Sequence, residues 1–485
     1  MSNNPGRGLQ ANVLGTFDTA VMAIAGSAPA YTIATTTAVL VGAVGLAGPA
    51  ALLYCALPMA GIALAYSHLG RIDANAGAAY TWVGRTLHPF LGFLSGWALL
   101  VAVTLFMAAG SLPAGSLTLA LFDQGLADST AWSTAVGAGW FLLMLAVVLG
   151  GARLTARAQL VMSGMELAIL VLFAGLILLR AERVRAFDWS WFGLGQFDGV
   201  SGFVSGALVA TFCFWGWDVT SNLSEETRDS RRTTGLAGLI GLGVVFVLFE
   251  VYTVAVNMVL PQEEIDRDAA NVLGALGAAV WPGWGGKLLV VAVMLSTIAT
   301  LETTLVQVTR SLFAMGRDRT MPAALGRVHR RWNTPWVAVA AVGAVALTLL
   351  VASNALGSVR EIVADAFAAI GLQIALYYGL TGLAAVVAYR KLLLRSVTTF
   401  LLGGVWPLCG ALFMFWVFAE SLDGLSATAV SIGLGGLALG LIPMLWYRAR
   451  GSDYYRPARL DASRAIPCHA VPGHRGAYEA LPTDF

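Results

Sequence analysis

The sequence predicts an all-α polytopic membrane protein with about twelve membrane-spanning helices. Three observations carry this. Of the 485 residues, 58% are hydrophobic and 12% charged, where a soluble domain carries roughly 25% charged residues. The apolar residues gather in separate runs, most of them near or above the roughly 20 residues needed to cross a bilayer. The 29 Lys and Arg are also unevenly placed: with the N-terminus inside, 23 fall in inside segments and 6 outside. That bias places both termini in the cytoplasm and favours an even number of spans.

The N-terminus, residues 1–11, is polar (Ser2, Asn3, Asn4, Arg7) and is expected to be cytoplasmic. The first apolar run, 12–43, is too long for the core of a cleavable leader. Its middle reads Ala25-Gly26-Ser27-Ala28-Pro29-Ala30. Pro29 lacks a backbone N–H and clashes with the preceding turn, while Gly26 tolerates unusual backbone angles. A helix that unwinds halfway is expected here. Unpaired backbone costs several kcal/mol in lipid, so unwound chain belongs inside protein or beside a water-filled cavity. The start of its second half-helix is an anion site by construction. A simple proline kink is the ordinary alternative.

Four further runs, 47–69, 89–114, 133–151 and 158–180, complete a first group of five spanning 12–180. A second group, 200–389, contains 200–223, 235–260, 286–315, 335–353 and 361–389. Two more runs, 398–420 and 426–447, precede a tail, 448–485, that is rich in Arg and Pro and expected to be disordered. The inside loops 79–88 and 317–331 are amphipathic and expected on the cytoplasmic surface.

The sixth run contains Phe212-Cys213-Phe214-Trp215-Gly216-Trp217-Asp218. A glycine amid bulky aromatics, followed by an acid, predicts a second break. The aromatics either line a pocket or serve as ordinary packing bulk. Breaks at corresponding positions of two five-helix halves are the sequence signature of an inverted-repeat transporter with its site between the repeats.

Here the chain resembles the amino acid–polyamine–organocation superfamily of transporters. The first-helix Gly-Ser-Gly motif of that family appears as Gly26-Ser27-Ala28. Gly77-Ala78-Ala79-Tyr80 follows helix two, and Gly92-Phe93-Leu94-Ser95-Gly96-Trp97 opens helix three. Phe214–Asp218 matches the sixth-helix pattern and is followed by Glu225-Glu226-Thr227-Arg228. Helix eight ends in Arg310-Ser311-Leu312-Phe313-Ala314-Met315-Gly316-Arg317-Asp318, then Met321-Pro322 and Thr334-Pro335. The resemblance spans roughly residues 12–390. It implies a leucine-transporter-type 5+5 inverted repeat with helices 1 and 6 broken. It implies that Gly26, Ser27 and Ala28 clamp a substrate carboxylate, that Phe212 gates the site, and that Phe214, Trp215, Gly216 and Trp217 line the amine and side-chain pocket. Ala28 and Pro29 depart from the usual residues, and Trp215 and Trp217 are larger than common choices, which points to a small or flat substrate.

Charged groups within apolar runs are costly and functional by default. They are Asp18, Glu166, Asp218, Glu250, Glu302, Asp365 and Glu420. Many family members without sodium coupling carry a Lys at what looks like the position of Glu166. A carboxyl group there either takes up a proton, which cancels its desolvation cost, or joins a Na⁺ site with hydroxyls of Ser296, Thr297 or Thr300. The ordinary alternative is a Glu bonded to backbone in a packed bundle. Asp218 either orients the unwound chain, faces the substrate amine or caps a helix. Asp18 reads as a cap or gate, and Glu302 as a group at the cytoplasmic exit. Glu225 and Glu226 are expected to form gate salt bridges with Arg228 or Arg310, of the low-value surface kind.

An enzyme is not expected. The five His show no HExxH or paired metal spacing, there is no P-loop, and no metal site or cofactor is read beyond a transported proton or Na⁺. Cys55, Cys213, Cys409 and Cys468 show no CxxC spacing and are read as free thiols. The net charge of +2 gives no reason to expect a nucleic acid partner. Lys occurs only at positions 287 and 391 beside abundant Arg, Ala and Gly, as in a GC-rich bacterial genome, so a bacterial cytoplasmic membrane is expected. The function expected is secondary active transport of an amino acid or related amine, with proton coupling favoured. A polyamine or organocation permease, an uncoupled exchanger and a non-transporting amino-acid sensor remain alternatives.

Overall fold

A computed structural model describes residues 8–180, 182, 184–269, 271–353, 359–456 and 459–463, those of 359–365 and 424 by backbone alone. Ser2, Asn3, Asn4, Arg7, the Asp365 side chain and the tail beyond Ser463, with Cys468, lie outside the described residues.

The first apolar run forms two helices, α1 (Thr16–Gly26) and α2 (Pro29–Val44), then turns into α3 (Gly48–Ile72). Asp18 starts α1 by accepting the Gly15 N–H at 2.9 Å, which satisfies a donor the helix leaves free. Gly45, at φ +56°, makes the turn into α3. The short α4 (Ala79–Thr86) precedes α5 (Pro89–Ala120). Pro89 sits in the first turn of α5, where its missing N–H costs nothing. After α6 (Gln124–Ala127) come α7 (Thr130–Leu149) and α8 (Ala152–Arg180), joined at Gly150–Gly151.

The second group repeats the pattern of a split first segment. It begins with α9 (Gly199–Cys213) and the single turn α10 (Val219–Asn222). Then come α11 (Ser230–Val259), the short α12 (Gln262–Arg267) and α13 (Val272–Val280), and the long α14 (Gly285–Arg317). α15 (Trp336–Ser353) and α16 (Val359–Tyr389) complete the group. α17 (Val397–Phe400) passes through a π-helical turn, Leu401–Val405, into α18 (Trp406–Gly424). α19 (Ala427–Leu439) and α20 (Leu441–Ala449) close the series. Among the described residues no strand forms. Leu14 and Thr227 make one isolated parallel bridge, tying the start of α1 to the chain beyond the second break.

Among the described residues, ten helical stretches are long and apolar enough to cross a membrane. About twelve runs were expected, and the counts differ where the chain is broken. One of the ten is the 57-residue stretch Thr16–Ile72, which holds α1, α2 and α3, and α9 falls short at 15 residues. α14 and α16 are the most buried stretches and α19–α20 the least. Helices approach closely where glycine permits it: a Cβ on Gly61 of α3 would meet the Trp406 carbonyl of α18 at 2.3 Å.

The tail departs from the expectation of disorder over its described part. Tyr454 stacks on Tyr80 with ring centroids 4.7 Å apart, and its hydroxyl donates to the Tyr80 carbonyl at 3.1 Å. Leu460 N–H reaches the Arg85 carbonyl, and Ala462 N–H the Ala388 carbonyl. Lys391 pairs with Asp461 at 2.6 Å. Gly84 and Gly92 leave the room that Tyr454 fills, since a Cβ on either would lie within 2.4 Å of its hydroxyl. Composition marked this tail as polar. It could not show that a few apolar side chains, Tyr454 and Leu460 among them, had a seat. The same strap corrects the reading of 79–88: α4 is largely buried beneath it and against α5 instead of lying on the surface. Loop 317–331 forms a 3₁₀ turn, Ala323–Gly326.

Candidate substrate and coupling site

The first break is two residues wide. α1 ends at Gly26, Ser27 caps it, and Ala28 takes left-handed angles, φ 47° and ψ 59°, before Pro29 starts α2. Proline disfavours right-handed helix at the residue before it, which is what expels Ala28. A non-glycine residue there stores roughly 1–3 kcal/mol, tolerated only where the surroundings fix it. The second break runs from Phe214 to Asp218, with Gly216 at φ +100°. The two breaks touch backbone to backbone. A Cβ on Gly216 would lie 2.0 Å from the Gly26 carbonyl oxygen, and one on Gly26 2.3 Å from that of Gly216.

Other helices hold the first break. Ala30 N–H donates to Glu166 Oε1 of α8 at 2.9 Å, and Tyr31 N–H to Ser296 Oγ of α14 at 3.3 Å. Thr300 Oγ1 donates to the Ala25 carbonyl at 2.8 Å. The Ser296 hydroxyl also faces the Glu166 carboxyl. Glu166 is fully buried, and its Oε2 has no hydrogen-bond partner. Thr297 turns away: its hydroxyl donates to Val293 O within α14 at 2.8 Å. Of the hydroxyls considered for a cation site, Ser296 and Thr300 therefore touch the break and Thr297 does not.

Asp218 anchors the second break. Its Oδ1 accepts from Tyr378 Oη at 2.9 Å, and its Oδ2 from Gln307 Nε2 at 2.9 Å and Tyr377 Oη at 3.3 Å. Tyr377 Oη in turn accepts the Trp215 indole N–H at 2.6 Å. This buried carboxylate therefore locks the unwound chain, α14 and α16 together and orients Trp215.

The aromatics of the second break part company. Phe212 and Trp215 face a cluster with Phe106 of α5, Phe367 of α16 and Tyr31 of α2, with neighbouring ring centroids 5.3–6.3 Å apart. Trp217 packs on Tyr66 and Tyr378, and Phe214 on Phe246 and Phe249 of α11. Sequence reasoning missed Tyr31, Phe106 and Phe367, and with them Gln307, Tyr377 and Tyr378. Gln307 and the adjacent tyrosines, polar groups in otherwise apolar runs, were the available signal. Two other acids sit in the interior: Glu250 and Glu302 are buried with no partner on either oxygen. Glu420 of α18 is only partly buried.

On the side where α10 ends, the chain is pinned by ion pairs. Glu226 forms a bidentate pair with Arg310 at 2.9 and 3.0 Å, both side chains essentially without exposure. Glu225 pairs with Arg317 at 2.9 Å and accepts the Ala76 N–H at 3.0 Å. Arg228 instead donates to the Asn12 carbonyl. The Glu226–Arg310 pair is not the surface pair expected, whereas Arg317 of the second pair is 36% exposed: removing one partner of the buried pair costs roughly 3–5 kcal/mol because the other charge is stranded.

The family model described as amino acid permease matches residues 14–435. An uncharacterized transporter of Mycobacterium tuberculosis is 27% identical over 417 residues, 84% of this chain and 85% of its own. The low-affinity putrescine importer PlaP of Escherichia coli is 27% identical over 414 residues, 81% and 84% of the two chains. The branched-chain amino acid permease BcaP of Bacillus subtilis is 26% identical over 293 residues, 57% and 61%. With its two touching breaks and its multi-pass helical body, the chain belongs to the amino acid permease family, and it is a membrane transporter and not an enzyme.

Proposed function

We propose that the protein is a secondary active transporter that moves an amino acid or related amine across a bacterial cytoplasmic membrane, driven by protons carried on Glu166. In this reading α1 with α2, and α9 with α10, are two broken spans of a twelve-span protein. Residues 12–180 and 200–389 are inverted five-helix repeats, and both termini are cytoplasmic. Gly26, Ser27, Ala28, Phe212, Trp215 and Gly216 surround the substrate, Phe214 and Trp217 back the second break as its frame, and no cofactor takes part.

The single observation that carries the coupling is Glu166, with one oxygen on a break N–H and the other without a partner. While α2 keeps its Ala30 N–H against the carboxylate, the charge has a donor. When the half-helix moves during alternating access, the group loses that donor, and a proton on the carboxyl cancels the charge. Proton binding is thereby linked to the position of the break, as coupling requires. Asp218, satisfied on both oxygens, holds the frame in which this happens. A Na⁺ ion held by Glu166, Ser296 and Thr300 is the second reading, supported by the same oxygens facing the break.

The test is uptake by purified protein in liposomes, with labelled amino acids and amines, under a pH gradient, a sodium gradient or neither. Accumulation driven by inward protons supports the proposal. Accumulation that needs sodium transfers Glu166 to the ion site. Flux seen only against preloaded substrate makes the protein an exchanger, and binding without any flux makes it a sensor.

A further inference from the structure

The chain beyond α20 returns to the helix bundle and seats one side chain in it. Ser452 Oγ donates to the Asp318 carbonyl, just past the end of α14, at 3.0 Å. Two residues on, the buried Tyr454 ring lies flat on Tyr80 of α4, 6° from parallel, and its hydroxyl donates to the Tyr80 carbonyl. The seat exists because a side chain is missing: the three atoms nearest to a Cβ on Gly84 would all belong to Tyr454. Further along, Leu460 N–H is bonded to the Arg85 carbonyl of α4 and Ala462 N–H to the Ala388 carbonyl of α16.

Tyr80 lies in the first turn of α4, and the loop before that helix, 73–78, closes on the chain that follows the second break. Ala76 N–H donates to Glu225 Oε1 at 3.0 Å, and the Ala76 carbonyl accepts from Asn222 Nδ2 at 2.8 Å. Asn75 Oδ1 accepts from Arg317 Nη2 at 3.2 Å, and Arg317 is itself the partner of Glu225. Asp73 pairs with Arg85 at 2.6 Å and accepts the Trp82 indole N–H on its carbonyl at 2.7 Å. The Tyr80 hydroxyl shares a hydrogen bond with Thr320 Oγ1 at 2.9 Å. Loop 73–78 is thus bonded on one side to the chain after α10 and on the other to the helix on which Tyr454 rests. Packed rings and hydrogen bonds in one contiguous series are a physical route by which one place in a protein biases another, and substituting both ends measures the coupling.

We infer that Tyr454 is a positioning residue for the gate: seated against α4 and α5, it holds loop 73–78 on Asn222 and Glu225, and its departure opens a path to the second break from that side. This gives the tail a part in alternating access. It rests on the geometry of the gate and draws on neither the substrate nor the role of Glu166.

Ser224, buried beside Glu225 and with no partner for its hydroxyl, reports on that path. Full-length protein carrying Ser224→Cys is reacted in detergent with a water-soluble maleimide, and the label at position 224 is followed by mass spectrometry of its peptide. The native thiol of Cys55, fully buried in α3, is read in the same digest. Tyr454→Ala and Gly84→Ala evict the ring by opposite means, one deleting it and the other filling its seat. Each is expected to raise labelling at 224 about tenfold or more over the Ser224→Cys parent, with Cys55 unchanged. Tyr454→Phe keeps the stacked ring and is expected to stay within about twofold of the parent. Tyr454→Ala combined with Gly84→Ala is expected to label no faster than the quicker of the two, since both remove one contact. Labelling at the parent rate in both single variants overturns the inference. A rise matched at Cys55 also overturns it, because the ring then holds the whole fold together and not the gate. Should either single variant aggregate, Tyr454→Leu, which keeps apolar bulk but loses the stacked ring and the hydroxyl, is judged by the same rates. Because no substrate is present, a failure here leaves the transporter reading in place, and a failure of the uptake assay leaves this result in place.

Discussion

The two breaks each meet one buried carboxylate, yet the two acids are built for different work. Asp218 has three donors, from Gln307, Tyr377 and Tyr378, and both its oxygens are used. Glu166 has the Ala30 N–H on Oε1 and the Ser296 hydroxyl facing its carboxyl, while its Oε2 has no hydrogen-bond partner. A buried polar atom without a partner costs roughly 1–3 kcal/mol, so Glu166 is a group for which a change of charge state relieves a cost. For Asp218 a change of charge state would break an arrangement already satisfied. On the proposed reading, what separates the coupling acid Glu166 from the structural acid Asp218 is the number of donors around it, not its burial.

The largest expected effect comes from closing the contact the breaks share. Gly216→Ala places a Cβ 2.0 Å from the Gly26 carbonyl oxygen on a residue at φ +100°. Transport is expected to vanish, and folded protein to fall in size-exclusion profiles. A well-folded and active Gly216→Ala protein would break the picture of two touching breaks.

Next is the contrast between neighbouring tryptophans. Trp217 is packed between Tyr66 and Tyr378, so Trp217→Ala is expected to cost about 3–5 kcal/mol, as for other buried aromatic truncations. Trp215→Leu is expected to change substrate preference with a smaller loss of melting temperature. Equal thermal losses for the two would erase the distinction between frame and site.

Asp218→Asn replaces a charged acceptor by a neutral one. With hydrogen bonds to charged groups contributing about 1.5–3 kcal/mol each, a lower melting temperature is expected. Uptake should be reduced by a similar factor at every pH. A reduction confined to one side of the pH profile would instead give Asp218 a titrating role.

Glu166→Gln has the smallest expected effect on stability and the most selective one on function. The amide oxygen can still accept the Ala30 N–H, so ligand binding is expected to survive, while pH-driven accumulation falls at least tenfold. Unchanged uphill uptake would return Glu166 to the packed bundle.

Both breaks were legible in the sequence because they are written in residues with fixed backbone meaning, Pro29 and Gly216. Glu166 was legible because a charge in an apolar run stands out. The partners were not. Nothing in the spacing says which aromatic turns toward a break, so Trp215 read the same as Phe214 and Trp217, which pack elsewhere. Phe106 and Phe367 come from distant helices and carry no local signal. Thr297 and Thr300 read alike, and only the rotation of α14 against the break separates them. Burial of Glu226 with Arg310 was missed because residues on both sides looked like loop charge. The docking of Tyr454 depends on space left by Gly84 and Gly92 some 370 residues earlier.

The most direct test of the division between the two acids is proton movement itself. Wild-type, Glu166→Gln and Asp218→Asn proteins are placed in liposomes containing a trapped pH dye. Each is then exposed to the labelled compound that the wild type takes up best from the panel of amino acids and amines. The account predicts a luminal pH change that accompanies uptake in the wild type and, scaled to its lower flux, in Asp218→Asn, and none in Glu166→Gln. A pH change of wild-type size per molecule transported by Glu166→Gln, or its loss in Asp218→Asn alone, would contradict it.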